Sequence, residues 1–359
     1  MTLPYRTRAA LVLLPWVMIV AACGGSPADD AKGGGNKPVT ITLLTHDSFA
    51  VSDDVLAAFT EATGIKVTLL QGGDAGTVVN QAILTQGAPQ ADVLFGVDST
   101  FVSRALREDL FVAYEAAGSE NIPADLVLDP KHRVTSIDYG DVCVNYDKAY
   151  FAAAGLPVPS TLQDLVDPRY RNLLVVENPA TSSPGLAFLF ATIDELGENG
   201  WQAYWKTLAD NGVEVSAGWE EAYYGSFSGG GTSEGTRPLV VSYGSSPTAE
   251  VVFADPPVDA APTGVLARTC YRQVEGAGIL AGTKHYQEAG ALIDFLLSLP
   301  FQEDVPLSMF VVPVNPAAVL PAVFVANRTE PTGVYDLPAA TIDRKREEWI
   351  QAWTNIMVR

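Results

Sequence analysis

Apolar and polar positions alternate from residue 39 onward in a pattern that predicts alternating strands and helices. Residues 39–45 are rich in β-branched side chains and predict a strand, and 52–63 carry apolar residues at helical spacing before a glycine. A strand at 65–70, a helix at 76–86 and a strand at 91–96 follow. This β-α-β-α-β run predicts a mainly parallel, doubly wound sheet, whose ligands bind at the C-terminal ends of the strands.

A second set of elements predicts a second lobe. Two extended stretches, 135–146 and 269–276, are long enough to pass between lobes. The elements predicted between these stretches are strands or helices at 172–177, 183–196, 200–211, 213–215, 219–227 and 238–243. Helices at 286–298 and 341–356 pack back afterwards. We therefore expect an α/β protein with two doubly wound sheets, joined by two hinge crossings that enclose a cleft.

The N-terminal segment predicts export. Two arginines precede an apolar run that Pro15 interrupts and that is shorter than the roughly 20 residues of a spanning helix, so 1–22 predict a signal peptide. Cleavage there would leave Cys23, in the context Val-Ala-Ala-Cys, as a bacterial lipidation site. An ordinary signal peptide with an incidental cysteine is the alternative. Residues 23–38 are rich in Gly, Ser, Asp and Lys and predict a flexible tether.

These patterns give a complete predicted organisation. The segments are a signal peptide at 1–22, a lipidated tether at 23–38, a first lobe at 39–138 with 275–359, and a second lobe at 139–274. The localisation that follows is extracytoplasmic, on the bacterial cell membrane through a lipid anchor.

Charge and cysteine content narrow the class of protein. The chain has 42 acidic and 22 basic residues and a net charge of −20, and loss of the two signal arginines would make the charge −22. Such a chain repels nucleic acid, and it favours a cationic ligand only weakly. Cys143 and Cys270 form an even pair in an exported body, which predicts a disulfide; two buried free thiols are the alternative.

Catalytic signatures are scarce in the sequence. There is no G-x-S-x-G elbow, P-loop or H-E-x-x-H motif, and the three histidines lie far apart. His132 and His285 each follow a lysine in a polar stretch, whereas His46 ends the first strand at the cleft edge. We therefore expect a binding protein without enzyme activity, metal or cofactor.

Candidate ligand-binding residues cluster at predicted strand ends and helix starts. Aromatic rings there can stack on a flat or cationic ligand, carboxylates can offset its charge, and hydroxyls at helix starts can hold a polar group. Core packing and simple helix capping are the alternatives for the aromatic and the hydroxyl residues, respectively. The candidates are His46, Asp47, Ser48, Asp98, Asp138, Ser182, Ser183, Gly185, Trp219, Tyr223, Tyr243, Ser245 and Ser246.

Six stretches in order carry a family resemblance along nearly the whole body. They are THDSF at 45–49, ADVLFGVD at 91–98, DYG at 138–140, TSSPGL at 181–186, GWEEAY at 218–223 and LVVSYGSSP at 239–247. Together they resemble the periplasmic thiamine-binding proteins of ABC importers, a branch of the type II solute-binding superfamily.

The resemblance implies a receptor that delivers thiamine or its phosphates to an ABC permease, and we expect it to be a monomer. Trp219 and Tyr243 would match pocket aromatics, and the turn from Ser182 to Gly185 would match a polar element near the alcohol or phosphate end. Three aromatic positions depart from the family. His46 and Ala249 stand where the family usually has Tyr, and 51–54 lack a Trp.

These departures leave other ligands open. The alternative small ligands are a thiamine precursor heterocycle, a polyamine and Fe(III). Iron is included because relatives bind it with adjacent tyrosines, and Tyr223 and Tyr224 are such a pair in this chain. The alternative from another class is a secreted thiaminase-like enzyme, which would need Cys143 or Cys270 as a free nucleophile.

Overall fold

The structure is a computed structural model that describes residues 39–231 and 233–357. The predicted signal peptide (1–22), the predicted lipidation site Cys23 and the predicted tether (23–38) lie outside these residues. In the described part of the chain, no helix combines the length and the apolar character that crossing a membrane requires.

Strands and helices alternate through the described residues. The strands are β1 (Thr40–Thr45), β2 (Lys66–Gln71), β3 (Val93–Asp98), β4 (Phe111–Val112), β5 (Thr135–Asp147), β6 (Leu174–Glu177), β7 (Glu214–Ser216), β8 (Leu239–Tyr243), β9 (Thr263–Leu280) and β10 (Val312–Pro313). The α-helices are α1 (Asp53–Thr63), α2 (Ala75–Leu84), α3 (Val102–Arg107), α4 (Lys148–Ala154), α5 (Ser183–Asp210), α6 (Ser246–Val252), α7 (Tyr286–Leu296), α8 (Leu299–Ser308), α9 (Ala322–Asn327) and α10 (Ala339–Met357).

The strands form one hydrogen-bonded sheet in the order β2-β1-β3-β9-β5-β8-β6-β7, with β4 beside β9 and β10 beside β5. Strands β2, β1 and β3 are parallel, and so are β8, β6 and β7. The two long strands β5 and β9 run antiparallel between these groups. The predicted two-lobed α/β fold is thus confirmed. Because the two crossing strands pair with each other and with both parallel groups, the strands form one continuous sheet rather than the two that were expected. We call the part built on β1–β3 the first lobe and the part built on β6–β8 the second lobe.

The first lobe packs apolar side chains on both faces of its sheet. Ile41 and Leu43 of β1 belong to a core cluster beside α1, α7 and α8, while Leu44 faces the cluster that includes α2. This alternation follows from the two-residue period of a strand. Helix α1 ends at Gly64, where φ is 72°, so the glycine stop expected from sequence supplies the left-handed residue.

Helix α5 forms the centre of the second lobe. Its first half is buried because 186–191 are all apolar. The sequence predicts two helices, 183–196 and 200–211, and the structure joins them across a kink at Gly197, where φ is 68°. Glycine permits this conformation at no steric cost.

One predicted helix, 219–227, is a short π-helical turn at Glu221–Ser226. The Phe227 N–H donates to the Ala222 carbonyl, five residues back, at 2.9 Å. Ala222, Tyr223 and Phe227 are fully buried against β6 and β8. Packing of these side chains therefore outweighs the regular α-helical bonding of this segment.

A disulfide and the C-terminal helix connect elements that are distant in the chain. Cys143 of β5 and Cys270 of β9 form a disulfide, as their even number predicts. Helix α10 packs Trp349 and Trp353 against α5, with Trp353 and Trp205 ring centroids 5.5 Å apart. The same helix reaches α3, so it contacts elements of both lobes.

Candidate ligand-binding site

A cleft of about 810 Å³, counted together with its opening to solvent, lies at the C-terminal ends of the parallel strands. The loops after β1, β2, β6, β7 and β8 all contribute to its lining, and the crossing strands β5 and β9 form its floor. A doubly wound sheet places its ligands at this edge.

The structure brings most of the predicted site residues together. Those that line the cleft are His46, Asp47, Ser48, Asp138, Ser183, Trp219, Tyr223, Tyr243 and Ser246. The other predicted residues, Asp98, Ser182, Gly185 and Ser245, lie behind this lining.

Each of these four residues has a structural contact that explains its position. Asp98 is buried at the end of β3 and accepts hydrogen bonds from the N–H and hydroxyl of Thr100, both at 2.6 Å. Ser182 caps α5, because its Oγ accepts from the Gly185 N–H at 3.4 Å. Ser245 donates its hydroxyl to the carbonyl of Phe310.

Aromatic side chains form one wall of the cleft. The Trp219 indole stacks on Tyr223 with ring centroids 5.0 Å apart and an interplanar angle of 21°, and it meets Tyr243 edge-on at 6.4 Å. The Trp219 Nε1–H donates to the Ser242 hydroxyl at 2.8 Å. Tyr223 covers one indole face, Tyr224 meets the indole edge-on with ring centroids 5.5 Å apart, and Trp219 also lines the cleft.

Two glycines leave room for the cleft side chains. A Cβ on Gly140 would lie 2.7 Å from Cδ1 of Tyr243, and a Cβ on Gly96 would lie 2.7 Å from Cδ2 of His46. Gly96 also has a φ of 105°, which side chains disfavour. A glycine on the neighbouring strand therefore leaves space for each of the two rings, Tyr243 and His46.

Three carboxyl groups lie in one row across the floor. Glu275 of β9 is opposite Asp98 of β3 on one side and opposite Asp138 of β5 on the other. Burial raises the pKa of Asp98 to about 6. Burial, and then the charge of Glu275, raise the pKa of Asp138 well above its usual value. Asp98 and Asp138 therefore keep their protons to higher pH than an exposed aspartate does.

His46 connects this row to the mouth of the cleft. Its Nε2 lies 3.2 Å from Oε1 of Glu275. Burial alone would lower the pKa of His46, but the charge and hydrogen bond of Glu275, with the charges of Asp74 and Asp47, raise it.

The carboxylate of Asp74 reaches from the first lobe to the second. Its Oδ1 accepts from the Ser183 N–H and its Oδ2 from the Trp219 N–H, both at 3.0 Å. Burial raises the pKa of Asp74, although these two hydrogen bonds oppose the rise. Within the described residues, no lysine or arginine lines the cleft.

Sequence reasoning missed several lining residues. Asp74 carries the same signal as Asp98, a carboxyl just after a strand, and could have been found from it. Glu275 and Gln273 lie in a predicted crossing strand whose facing residues the pattern does not reveal. Phe310, with a φ of 57°, adds an aromatic side chain from a segment without any motif. It lies at the same cleft as Ala249, one of the positions that depart from the family.

Comparison with known proteins places this geometry in a family. The profile of the bacterial extracellular solute-binding proteins matches residues 88–327. The chain belongs to this family. A thiamine-binding periplasmic protein of Escherichia coli (strain K12) is 29% identical to this solute-binding protein over 328 residues, covering 90% of this chain and 94% of the relative.

Solved structures agree with that assignment. A periplasmic thiamin binding protein superposes with a TM-score of 0.76 and 25% identity over 89% of this chain and 96% of its own. The ferric binding protein from Campylobacter jejuni has a TM-score of 0.71 and 17% identity, covering 89% of this chain and 100% of its own, which shows the shared fold.

These relatives are binding proteins rather than enzymes, in agreement with the sequence prediction. The chain is thus an extracytoplasmic solute-binding protein that takes a small ligand.

Proposed function

We propose that this solute-binding protein binds thiamine or one of its phosphates and delivers it to an ABC permease in the cell membrane. The observation that carries the proposal is the pairing of an aromatic wall with buried carboxyl groups, in a cleft whose described lining holds no lysine or arginine. Thiamine presents a flat, permanently cationic thiazolium ring. Such a ring gains from an aromatic face and from nearby negative charge.

Each predicted side chain has a role in this proposal. Trp219 and Tyr243 stack on the heterocycle, with Tyr223 supporting Trp219. Carboxyl groups offset the positive charge, directly from Asp47 and Asp138 and from behind by Asp98. The residues proposed for the hydroxyl or phosphate end are Ser183 and Ser246, which line the cleft, and Ser182, Gly185 and Ser245, which lie behind them, while His46 and Ser48 border the mouth.

The proposal includes the organisation of the chain. A signal peptide at 1–22 is removed, Cys23 is lipidated, and 23–38 tether a monomeric body to the membrane. The first lobe comprises 39–138 with 275–359, and the second comprises 139–274. Mass spectrometry of the N-terminal peptide from membranes would test the anchor, because acylation of Cys23 adds the mass of its lipid chains.

The alternative functions use residues that have other contacts. In the adjacent pair proposed for iron, the Tyr223 hydroxyl is fully buried and donates to Glu250 at 2.9 Å. A thiaminase-like enzyme would need a free thiol, and Cys143 and Cys270 are joined to each other.

A thermal-shift panel followed by calorimetric titration tests the proposed function. The ligands are thiamine, its mono- and diphosphate, the separate pyrimidine and thiazole halves, a polyamine and Fe(III). A ligand that binds only the folded protein raises the protein's melting temperature. The rise grows with the ratio of the free ligand concentration to Kd. We expect the shift with thiamine compounds. A shift with only a half-molecule, the polyamine or iron would contradict the proposal and identify the ligand class.

A further inference from the structure

Asp74 is the N-cap residue of α2, but its side chain does not cap that helix. An aspartate at this position ordinarily accepts a hydrogen bond from its own helix, two or three residues on. Here both carboxylate oxygens turn away and accept from Ser183 and Trp219, which follow β6 and β7 in the second lobe. Asp74 is only 7% exposed, so water cannot replace either donor easily.

The backbone around Asp74 is shaped for this contact. The Thr77 N–H at the start of α2 donates to the Thr181 carbonyl of the second lobe at 3.0 Å. A Cβ on Gly76 would lie 2.7 Å from that carbonyl oxygen, and a Cβ on Gly218 would lie 3.1 Å from the Cβ of Asp74. Glycines at 76 and 218 therefore permit the two lobes to approach at this point.

From this geometry we propose that Asp74 is a positioning residue, a clasp that holds the two lobes closed through the N–H groups of Ser183 and Trp219. Both donors belong to segments that shape the cleft, Ser183 at the start of α5 and Trp219 in the aromatic wall. Closing the clasp therefore fixes the wall and the helix start at the same time. Across the same cleft the Ser48 hydroxyl donates to Glu220 at 2.9 Å, in support of the closed arrangement.

The clasp affects affinity through the population of closed protein. If only the closed form holds ligand tightly, the apparent Kd rises as the closed fraction falls. Asp74→Asn keeps the size of the side chain but removes its charge and one of its two acceptors. We expect thiamine affinity to fall by about tenfold or more, mainly through faster dissociation.

The test compares variants by three measurements on the purified protein. Amide hydrogen exchange at Ser183 and Trp219 reports the two clasp bonds, small-angle scattering reports closure, and calorimetry reports affinity. Asp74→Asn should speed exchange at both amides by about tenfold and enlarge the thiamine-bound radius of gyration. Gly218→Ala, which keeps the carboxylate but crowds Asp74 across the cleft, should act in the same direction. Gly225→Ala is the matched control, because Gly225 lies on the π-helical turn that follows Gly218 and a Cβ there would have its nearest neighbour atom 3.9 Å away.

The outcomes test the clasp separately from the proposed function. Only the measurements made with thiamine depend on the proposed function. Weaker binding by Asp74→Asn with unchanged exchange and unchanged radius would overturn the clasp and make Asp74 a ligand contact. Normal exchange in both Asp74→Asn and Gly218→Ala would overturn it as well. If calorimetry detects no thiamine binding by the wild-type protein, the proposed function is wrong. The exchange comparison without ligand still decides the clasp, because the chain's own atoms make it.

Discussion

The Trp219 side chain both packs against neighbouring residues and lines the cleft. Its indole packs on Tyr223 and donates to Ser242, which fixes its orientation, and it also lines the cleft. A ring held in place before the ligand arrives loses little conformational freedom on binding, so most of its contact energy appears as affinity.

Removal of this ring gives a prediction at the scale of the residue. Trp219→Ala should weaken thiamine binding by about tenfold or more, because a desolvated cation–π contact is worth about 2 kcal/mol. The melting temperature of the ligand-free protein should change little, since the indole is only partly buried. Titration calorimetry and thermal unfolding measure the two effects. Trp219→Phe is the control that keeps an aromatic face and loses the Ser242 bond. A stability loss without an affinity loss would instead make Trp219 a core residue.

The sequence predicts a single site residue well when that residue follows a strand. His46, Trp219 and Ser246 could be found because they follow strands, whose C-terminal ends meet at one edge. Phe310 could not, because the chain reaches the cleft there through a segment that lacks any period or motif. The sequence could not separate two roles for Ser182, because a helix N-cap and a binding hydroxyl have the same sequence signal, and the structure shows the cap.

At the scale of the element, the crossing strands do more than connect the lobes. Strand β5 carries Asp138 in the floor and, two residues later, Gly140 beneath the Tyr243 ring. Strand β9 supplies Gln273, whose Oε1 accepts from the Tyr243 hydroxyl at 2.9 Å. One tyrosine is therefore positioned by both crossings.

Gly140→Ala tests that arrangement. The new Cβ would meet Cδ1 of Tyr243 at 2.7 Å, so the ring must move and the aromatic wall must shift. We expect thiamine affinity to fall by about tenfold, which corresponds to the 1–3 kcal/mol typical of overpacking. Gly87→Ala is the matched control, because no atom lies within 4 Å of its Cβ. Calorimetry on both variants measures the difference, and equal affinities would show that Tyr243 does not bind the ligand from its present position.

Elements with a clear period were predicted well, whereas those shaped by long-range packing were not. Strand β1 and helix α1 have local signals, a β-branched run and a glycine stop, and the structure confirms both. The turn at Glu221–Ser226 has helical spacing in its sequence and yet closes as a π-helix around buried side chains. That α10 packs against α5 and reaches α3 depends on contacts between residues distant in the chain, which no local pattern contains.

At the scale of the whole molecule, buried acids concentrate where the lobes meet. The carboxyl groups of Asp98, Asp138 and Asp74 all have raised pKa values, with burial as the first cause in each case. Buried carboxyl groups are ordinarily paired with cations, but within the described residues no lysine or arginine lines this cleft. In the ligand-free protein these groups therefore keep their protons to higher pH than exposed carboxyl groups do.

This arrangement makes the stability of the ligand-free protein depend on pH in an unusual direction. A carboxyl group whose pKa is raised by folding binds more protons in the folded state than in the unfolded state. Its contribution is therefore greatest at low pH and is lost as pH rises through the folded pKa. For Asp98 this window runs from its usual value of 3.8 to about 6. The raised pKa of His46 extends the loss above its usual 6.5.

Asp98→Asn isolates one of these effects, the rise of the Asp98 pKa to about 6. The amide resembles the protonated acid and can keep the hydrogen bonds from Thr100, so the variant should match the wild type near pH 4. Between pH 4 and pH 8 its free energy of unfolding should gain about 3 kcal/mol relative to the wild type, because each pKa unit is worth about 1.4 kcal/mol. Urea unfolding across this range measures the gain, with the exposed Asp125→Asn as control. A constant difference at every pH would mean that Asp98 stays ionised, and that the charge of the cleft is present before any ligand arrives.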